Sequence, residues 1–292
     1  MPDGQTSDCS PARWSALGAV APDALIDNRL TLHHAAQLLA SFGQAMLAAR
    51  EDDSHRGATW EEGRQGFVSD ETPDGLVMSL VVPSFAIEVW RNDDRVGSLD
   101  LRGRRPSEGL AWLGDLLVEA RESGAGPLAW PEYELPEQPG GSDSPLSPDP
   151  SSLEELAAWY DDGAQILERV LGDLPEASSI RCWPHHFDLG ALLTFPPSGG
   201  YDDAAYVGVG LSPGDDAIPH PYYYVNGSPS PSLESLPPLD GPGEWHTEGW
   251  VGAVLRAEEI VSSGSAAAQE QTVGNFLTSA VDAMRTTVLA AR

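Results

Sequence analysis

From Phe187 onward the chain alternates. Phe187, Leu189, Ala191, Leu193 and Phe195 are apolar; His186, Asp188, Gly190 and Thr194 fall between them, and only Leu192 interrupts the second row. Residues two apart in a strand share a face. The spacing therefore predicts a strand with one face on a core and the other carrying imidazole and carboxylate, either lining a pocket or meeting water.

Elsewhere the period changes. Ala35, Leu39, Phe42 and Met46 recur at four, three and four, which predicts a helix over 30–50 with a buried stripe, opened by a cap at Asp27 or Asn28. Strands are expected at 66–70, 76–82, 85–91 and 96–101, with Asn92-Asp93-Asp94-Arg95 as a hairpin connection. Pro106 and Ser107 open a second helix along Leu110, Leu113, Leu117 and Ala120, to about Arg121. Ser152 and Glu155 have capping-box spacing and start a helix to about Gly172 along Leu156, Tyr160, Ala164, Leu167 and Leu171. A last helix, 266–292, buries Val273, Phe276, Ala280, Met284 and Val288.

Between these helices lie further alternating runs. Ala205, Val207, Val209 and Leu211 share one face, with Tyr206, Gly208 and Gly210 on the other. Glycines inside a strand often mark close approach of a ligand or another backbone. His220, Tyr222 and Tyr224 are in phase, and so are Glu244, His246, Glu248 and Trp250 if their strand is regular. The expected fold class is α+β, with antiparallel sheets flanked by helices. Both halves read helix, about four strands, helix, an order compatible with duplication into two related layers. The boundaries are a flexible tail over 1–26, a first α+β half over 27–126, a proline-rich surface linker over 127–150, and a second half over 151–292 that carries the candidate site.

Composition narrows the function classes. Sixteen Lys and Arg against forty-five Asp and Glu give a formal charge of −29, which repels nucleic-acid phosphates and anionic lipid headgroups. Neither nucleic acid nor membrane is expected as a partner. Cys9 and Cys182 are the only thiols, too few for a stapled secreted scaffold. No apolar run matches a bilayer span, and the first residues lack the basic-then-apolar order of a signal peptide. The cytoplasm is the expected compartment.

The candidate chemistry lies on three strand faces: His186 with Asp188, His220 with Tyr222, and His246 with Glu248. If these converge, His186, Asp188, His220 and His246 have the donor types of a site for zinc, iron or manganese, with ligand distances of about 2.0–2.2 Å. Alternatively His186, Asp188, His246 and Glu248 work as metal-free acid–base groups. Trp183, Tyr222, Tyr224 and Trp250, with Gly208 and Gly210 opposite, are the expected ligand-binding wall. The expectation is a small-molecule enzyme. Its rival is a non-catalytic ligand-binding or interaction module with an aromatic-rich surface, in which His186 and His246 only satisfy backbone groups around Pro184 and Gly249.

Thr31-Leu32-His33 with Gln37, the region of Trp60, Phe187-Asp188-Leu189 and the tyrosine-rich run ending in proline resemble, in that order, an uncharacterised bacterial domain-of-unknown-function family (DUF 5996-like). The resemblance spans about 30–260 through short motifs and implies no established activity. In that family His-Phe-Phe-Trp-Gly-Ser precedes Phe-Asp-Leu; here Arg181 stands where the histidine does, and His185 and His186 stand for Gly and Ser. The family's Ser-His-Glu near 205–208 is absent. His33, Phe187 and Asp188 are the positions that carry over.

Overall fold

The computed structural model describes residues 14–119, 126–196 and 204–291. Cys9 and the rest of the expected tail to residue 13, the end of the second helix at Ala120 and Arg121, and Arg292 lie outside the described residues.

Among the described residues the chain is α+β, with every strand in one antiparallel sheet. Its strands are β1 (Ala58–Glu61), β2 (Gly66–Ser69), β3 (Leu76–Val81), β4 (Ala86–Arg91), β5 (Asp94–Asp100), β6 (Arg181–Trp183), β7 (Asp188–Phe195), β8 (Ala205–Ser212), β9 (Tyr222–Ser228), β10 (Glu244–His246) and β11 (Gly252–Arg256). In space they run β10-β11-β9-β8-β7-β6-β1-β2-β3-β4-β5. Two runs of neighbouring strands thus meet edge to edge at β1 and β6, where Ala58 faces Cys182. The helices are α1 (Pro22–Met46), α2 (Pro106–Glu119), α3 (Pro150–Leu171), α4 (Ala257–Ser262) and α5 (Ala266–Ala290). None is long and apolar enough to cross a membrane.

Register carries one apolar row across the second half of the sheet: Leu189 pairs with Leu211, and Leu211 with Tyr223. All three are buried. Helices cover this face. A Cβ on Gly163 of α3 would lie 2.5 Å from Leu211, one on Gly227 of β9 would meet Met284 and Val288 of α5, and one on Gly97 of β5 would meet Leu116 and Trp112 of α2. From α1, the His33 ring stacks on Phe187. The period-two row from Phe187 to Phe195 is therefore core, as its pattern predicts. The opposite face carries Asp188, Gly210, Tyr224 and His246, and among the described residues no helical side chain lines the hollow there.

Several boundaries differ from expectation for identifiable reasons. α1 starts at Pro22 rather than near Asp27, because proline at the first helical position leaves no N–H to satisfy. Asn28 is no cap: it donates to Ala24 O (2.7 Å) and accepts from Asp149 N (2.7 Å). Nor are residues 14–21 a loose tail. Trp14 and Leu17 are buried, Ser15 N donates to Asp162 (2.9 Å), and Leu17 exchanges two bonds with Gln269.

The capping box of α3 is likewise replaced. Asp149 accepts from Ser152 N (3.0 Å), while Glu155 turns to Gly18 N (2.6 Å) and Ala19 N (3.1 Å). The proline-rich stretch has no helix or strand over 126–149, yet it is docked. Leu146 is fully buried and its backbone bonds Gly103 and Arg104. β1 and α4 were not signalled by pattern: one is four residues long, the other six.

Candidate functional site

The local scaffold is the turn from Trp183 to Phe187. Phe187 N donates to Trp183 O at 2.7 Å, and Phe187 takes a left-handed φ of 59°. A bulky residue in that region costs free energy and persists only where its surroundings hold it. Here three side chains hold the turn from the helix side. His33 Nε2 (2.7 Å) and Gln37 Nε2 (2.8 Å) both donate to Pro184 O, and the Tyr160 hydroxyl donates to Phe187 O at 2.7 Å. Gln37 is itself fixed by the Tyr133 hydroxyl (2.6 Å). Burial lowers the His33 pKa to about 4, so its ring is neutral and carries its proton on Nε2, facing Pro184 O.

What this turn positions is Asp188, the first residue of β7, on the helix-free face. Its Oδ2 accepts from the Tyr224 hydroxyl, reaching across from β9. Oδ1 is out of reach of solvent and has no hydrogen-bond partner among the described residues, although the residue as a whole is only half-buried. Burial pushes the carboxyl pKa up, against the opposing pull of the Tyr224 bond and the His186 charge. Burial also pushes Tyr224 far above the usual phenol range, and the Asp188 charge adds to that. Tyr224 thus remains a donor at any physiological pH.

The glycines make this contact possible. Gly190, Gly210 and Tyr224 are successive partners across β7, β8 and β9. A Cβ would stand 2.7 Å from the Tyr224 hydroxyl oxygen at Gly190 and 2.5 Å from it at Gly210. Tyr224 lies over the bare backbone of two strands to reach the carboxyl. One position along, Gly208 makes the same room for the Asn226 side chain (2.4 Å to a Cβ). The glycines were expected to admit a ligand or another backbone; what approaches instead is the side chains of Tyr224 and Asn226 from β9.

Asp188 lines a hollow of about 280 Å³ with His186, Ser212, Asp215, Tyr222, Tyr224, Asn226 and Trp250. Asp215 is fully engaged: Oδ1 accepts from Ala217 N (2.8 Å) and Ile218 N (2.7 Å), and Oδ2 accepts from the Tyr222 hydroxyl (2.6 Å). Arg29 donates to Asp215 O from α1 (3.2 Å). Trp250 comes from the β10–β11 connection, where Gly249 takes a φ of +84°. Its ring folds back over Gly252, where a Cβ would stand 2.4 Å away, and rests 4.6 Å from the His246 ring. Trp250 and Asn226 also line a second hollow of about 510 Å³, which continues past Gly208 to Leu192 and Tyr206.

The expected residues are thus only partly brought together. His186, Asp188, Tyr222, Tyr224 and Trp250 share the hollow, while His220, His246 and Glu248 do not line it. His220 precedes β9 instead of belonging to it, and bonds Glu258 and Asp23 (2.8 Å to the latter). Burial lowers its pKa, but those two carboxylates outweigh it and hold the imidazole above its ordinary value. His246 is buried against Trp250, with Nε2 unpartnered among the described residues.

Glu248 is exposed, because 244–255 is a hairpin and not one strand; the break at 247–251 removes the shared phase. Trp183 is half-buried beside Asp188 in register, near the exposed His185. The expected four-residue metal set does not converge: no three His, Cys, Asp or Glu side chains among the described residues are placed to hold a metal ion. Sequence reasoning missed Ser212, Asp215 and Asn226. Ser212 is in phase with Gly210 and Asn226 with Tyr224, so both were within reach of the pattern; Asp215, in a loop, was not.

Another hollow, of about 480 Å³, lies between α1, the start of α2 and the proline-rich stretch. Much of its polar lining is already used internally: Gln37 by Tyr133, His34 by Pro136 O (2.9 Å), and Asp143 by Ser107 (2.8 Å to its hydroxyl). The helix-free hollow is therefore the stronger candidate. No family model, curated protein or solved structure matches this chain.

Proposed function

We propose that the chain binds a small organic molecule in the helix-free hollow and acts on it by proton transfer through Asp188, with His186 at the rim exchanging that proton with solvent. One observation carries this reading. The Asp188 carboxyl stands in the wall of a hollow with one oxygen taken by Tyr224 and the other shielded from solvent and without a partner among the described residues. A buried carboxyl with a raised pKa retains a proton nearer neutrality than a surface aspartate does, which is the requirement for a general acid. Of the two chemistries expected from sequence this is the metal-free one, since His220 and His246 have neighbours other than Asp188.

The test is infrared difference spectroscopy of wild type against Asp188→Asn across the acid-to-neutral range. The expected result is a protonated-carboxyl stretch that survives well above the ordinary aspartate pKa of about 4 and is missing from the variant. A carboxyl that ionises at the ordinary value overturns the proposal.

A further inference from the structure

We infer that the ligand of this face is a neutral carbohydrate of at least two sugar units, laid across two adjoining subsites that meet at Trp250 and Asn226. The inference rests on the hollow proposed above and adds the class of molecule that it takes.

Charge is the first argument. Among the described residues neither hollow has a lysine or arginine in its lining. Phosphates and carboxylates would find no guanidinium or ammonium there, only the exposed His186 imidazole at the rim, in a chain of formal charge −29. A cationic ligand is poorly served as well. The Asp215 carboxylate already accepts from two backbone amides and a phenol, with Arg29 behind its main chain. Asp188 is held toward its neutral form by burial. What is left is a nearly neutral wall of hydrogen-bonding groups.

Shape and surface are the second. Trp250 stands between hollows of about 280 and 510 Å³ and lines both. Its ring is roughly parallel to that of Tyr222 (29°, centroids 6.5 Å apart). Beyond it, Tyr206 and Leu192, 37% and 44% exposed, line the outer hollow together. A sugar ring has the matching anatomy: an apolar C–H face that packs on an aromatic ring, and a rim of hydroxyls that both donate and accept. Asn226, shared by the two hollows, offers both hydrogen-bonding roles at the junction. In this arrangement the inner unit lies against the wall that holds Asp188 and Tyr224, and Tyr206 and Leu192 hold the outer one.

The test is a glycan array probed with the full chain, followed by calorimetric titration of the best binder and its one-unit fragment. Neutral oligosaccharides are expected to bind and sulfated or sialylated ones are not. Trp250→Ala should weaken the oligosaccharide by about tenfold or more, with Trp250→Phe restoring part of it. Tyr206→Ala should weaken the oligosaccharide but leave the single unit unchanged. Absence of any neutral glycan among the binders, or binding that Trp250→Ala leaves intact in a folded variant, overturns the inference. The two readings fail separately: no glycan binding with the infrared signal intact removes only the ligand class, and glycan binding without that signal removes only proton transfer.

Discussion

Tyr224 donates its phenol proton to Asp188 from two strands away, passing over the backbone of Gly190 and Gly210. The contact is long-range in sequence and depends on what those two positions lack. It ties the Asp188 carboxyl to the register of three strands.

Tyr224→Phe should therefore have two effects. With neither Asp188 oxygen partnered, the carboxyl pKa rises further, because the bond from Tyr224 favours the ionised form. Stability falls by about 1–3 kcal/mol from leaving a buried acceptor unsatisfied. The infrared signal should persist to higher pH than in wild type, and urea titration reads the stability.

Gly210→Ala separates packing from chemistry. Its new Cβ would stand 2.5 Å from the Tyr224 hydroxyl and 2.6 Å from Leu189 O, and the latter is backbone that cannot swing aside. A loss of about 1–3 kcal/mol is expected, together with loss of the Tyr224–Asp188 bond. A crystal structure in which Tyr224 keeps its place would contradict this account.

The turn should be sensitive to a residue that touches no part of the hollow. His33→Ala removes the ring stacked 5.1 Å from Phe187 and one of two donors to Pro184 O. A cost of about 2–4 kcal/mol is expected from the cavity and the weakened hold on a left-handed Phe187. His33→Gln, which keeps a donor, should recover part of it in chemical denaturation.

Two buried groups on the helix side give stability a pH dependence of calculable sign. Burial raises the Asp162 carboxyl to about 8, although Ser15 N favours its ionised form. From about 4, where the unfolded group ionises, up to 8, the folded state keeps a proton that the unfolded state has released, so stability declines by at most about 1.4 kcal/mol per pH unit. His33, lowered to about 4, acts oppositely between 4 and its unfolded value near 6.5. The two offset each other below pH 6.5 and leave an uncompensated decline from about 6.5 to 8. Urea midpoints of wild type should fall over that window and those of Asp162→Asn less steeply, the remaining decline coming from His220, whose two carboxylate partners also raise its pKa on folding. His33→Gln should extend the decline down toward pH 4.

The sheet was legible where burial is one-sided. Phe187 to Phe195 and Ala205 to Leu211 alternate because one face meets α3 and α5 and the other does not, and α5 buries Val273, Phe276, Ala280, Met284 and Val288 as its period demands. Fold class followed from the same signals. The signals that misled were local ones overruled at a distance. Glu155 looks like a capping partner of Ser152, but the backbone amides of Gly18 and Ala19 take its carboxylate. Glu244 to Leu255 reads as one strand until Gly249 turns it into a hairpin, which takes Glu248 out of phase and folds Trp250 back. The site was half legible for the same reason: Asp188, Tyr222 and Tyr224 follow from strand parity, whereas His220 lies beyond the strand start and Asp215 sits in a loop.

Because β7, β8 and β9 lean on helices from one side only, alternate positions along them answer to separate demands. Exchanging Leu192, Tyr206 or Asn226 alters the outer surface without disturbing Leu193, Val207 or Val225 beneath. Outside the crossing of Tyr224 over Gly190 and Gly210, the helix-free side can therefore be retuned toward a new recognition task at alternate positions, with the folding of the chain left in the care of the residues beneath.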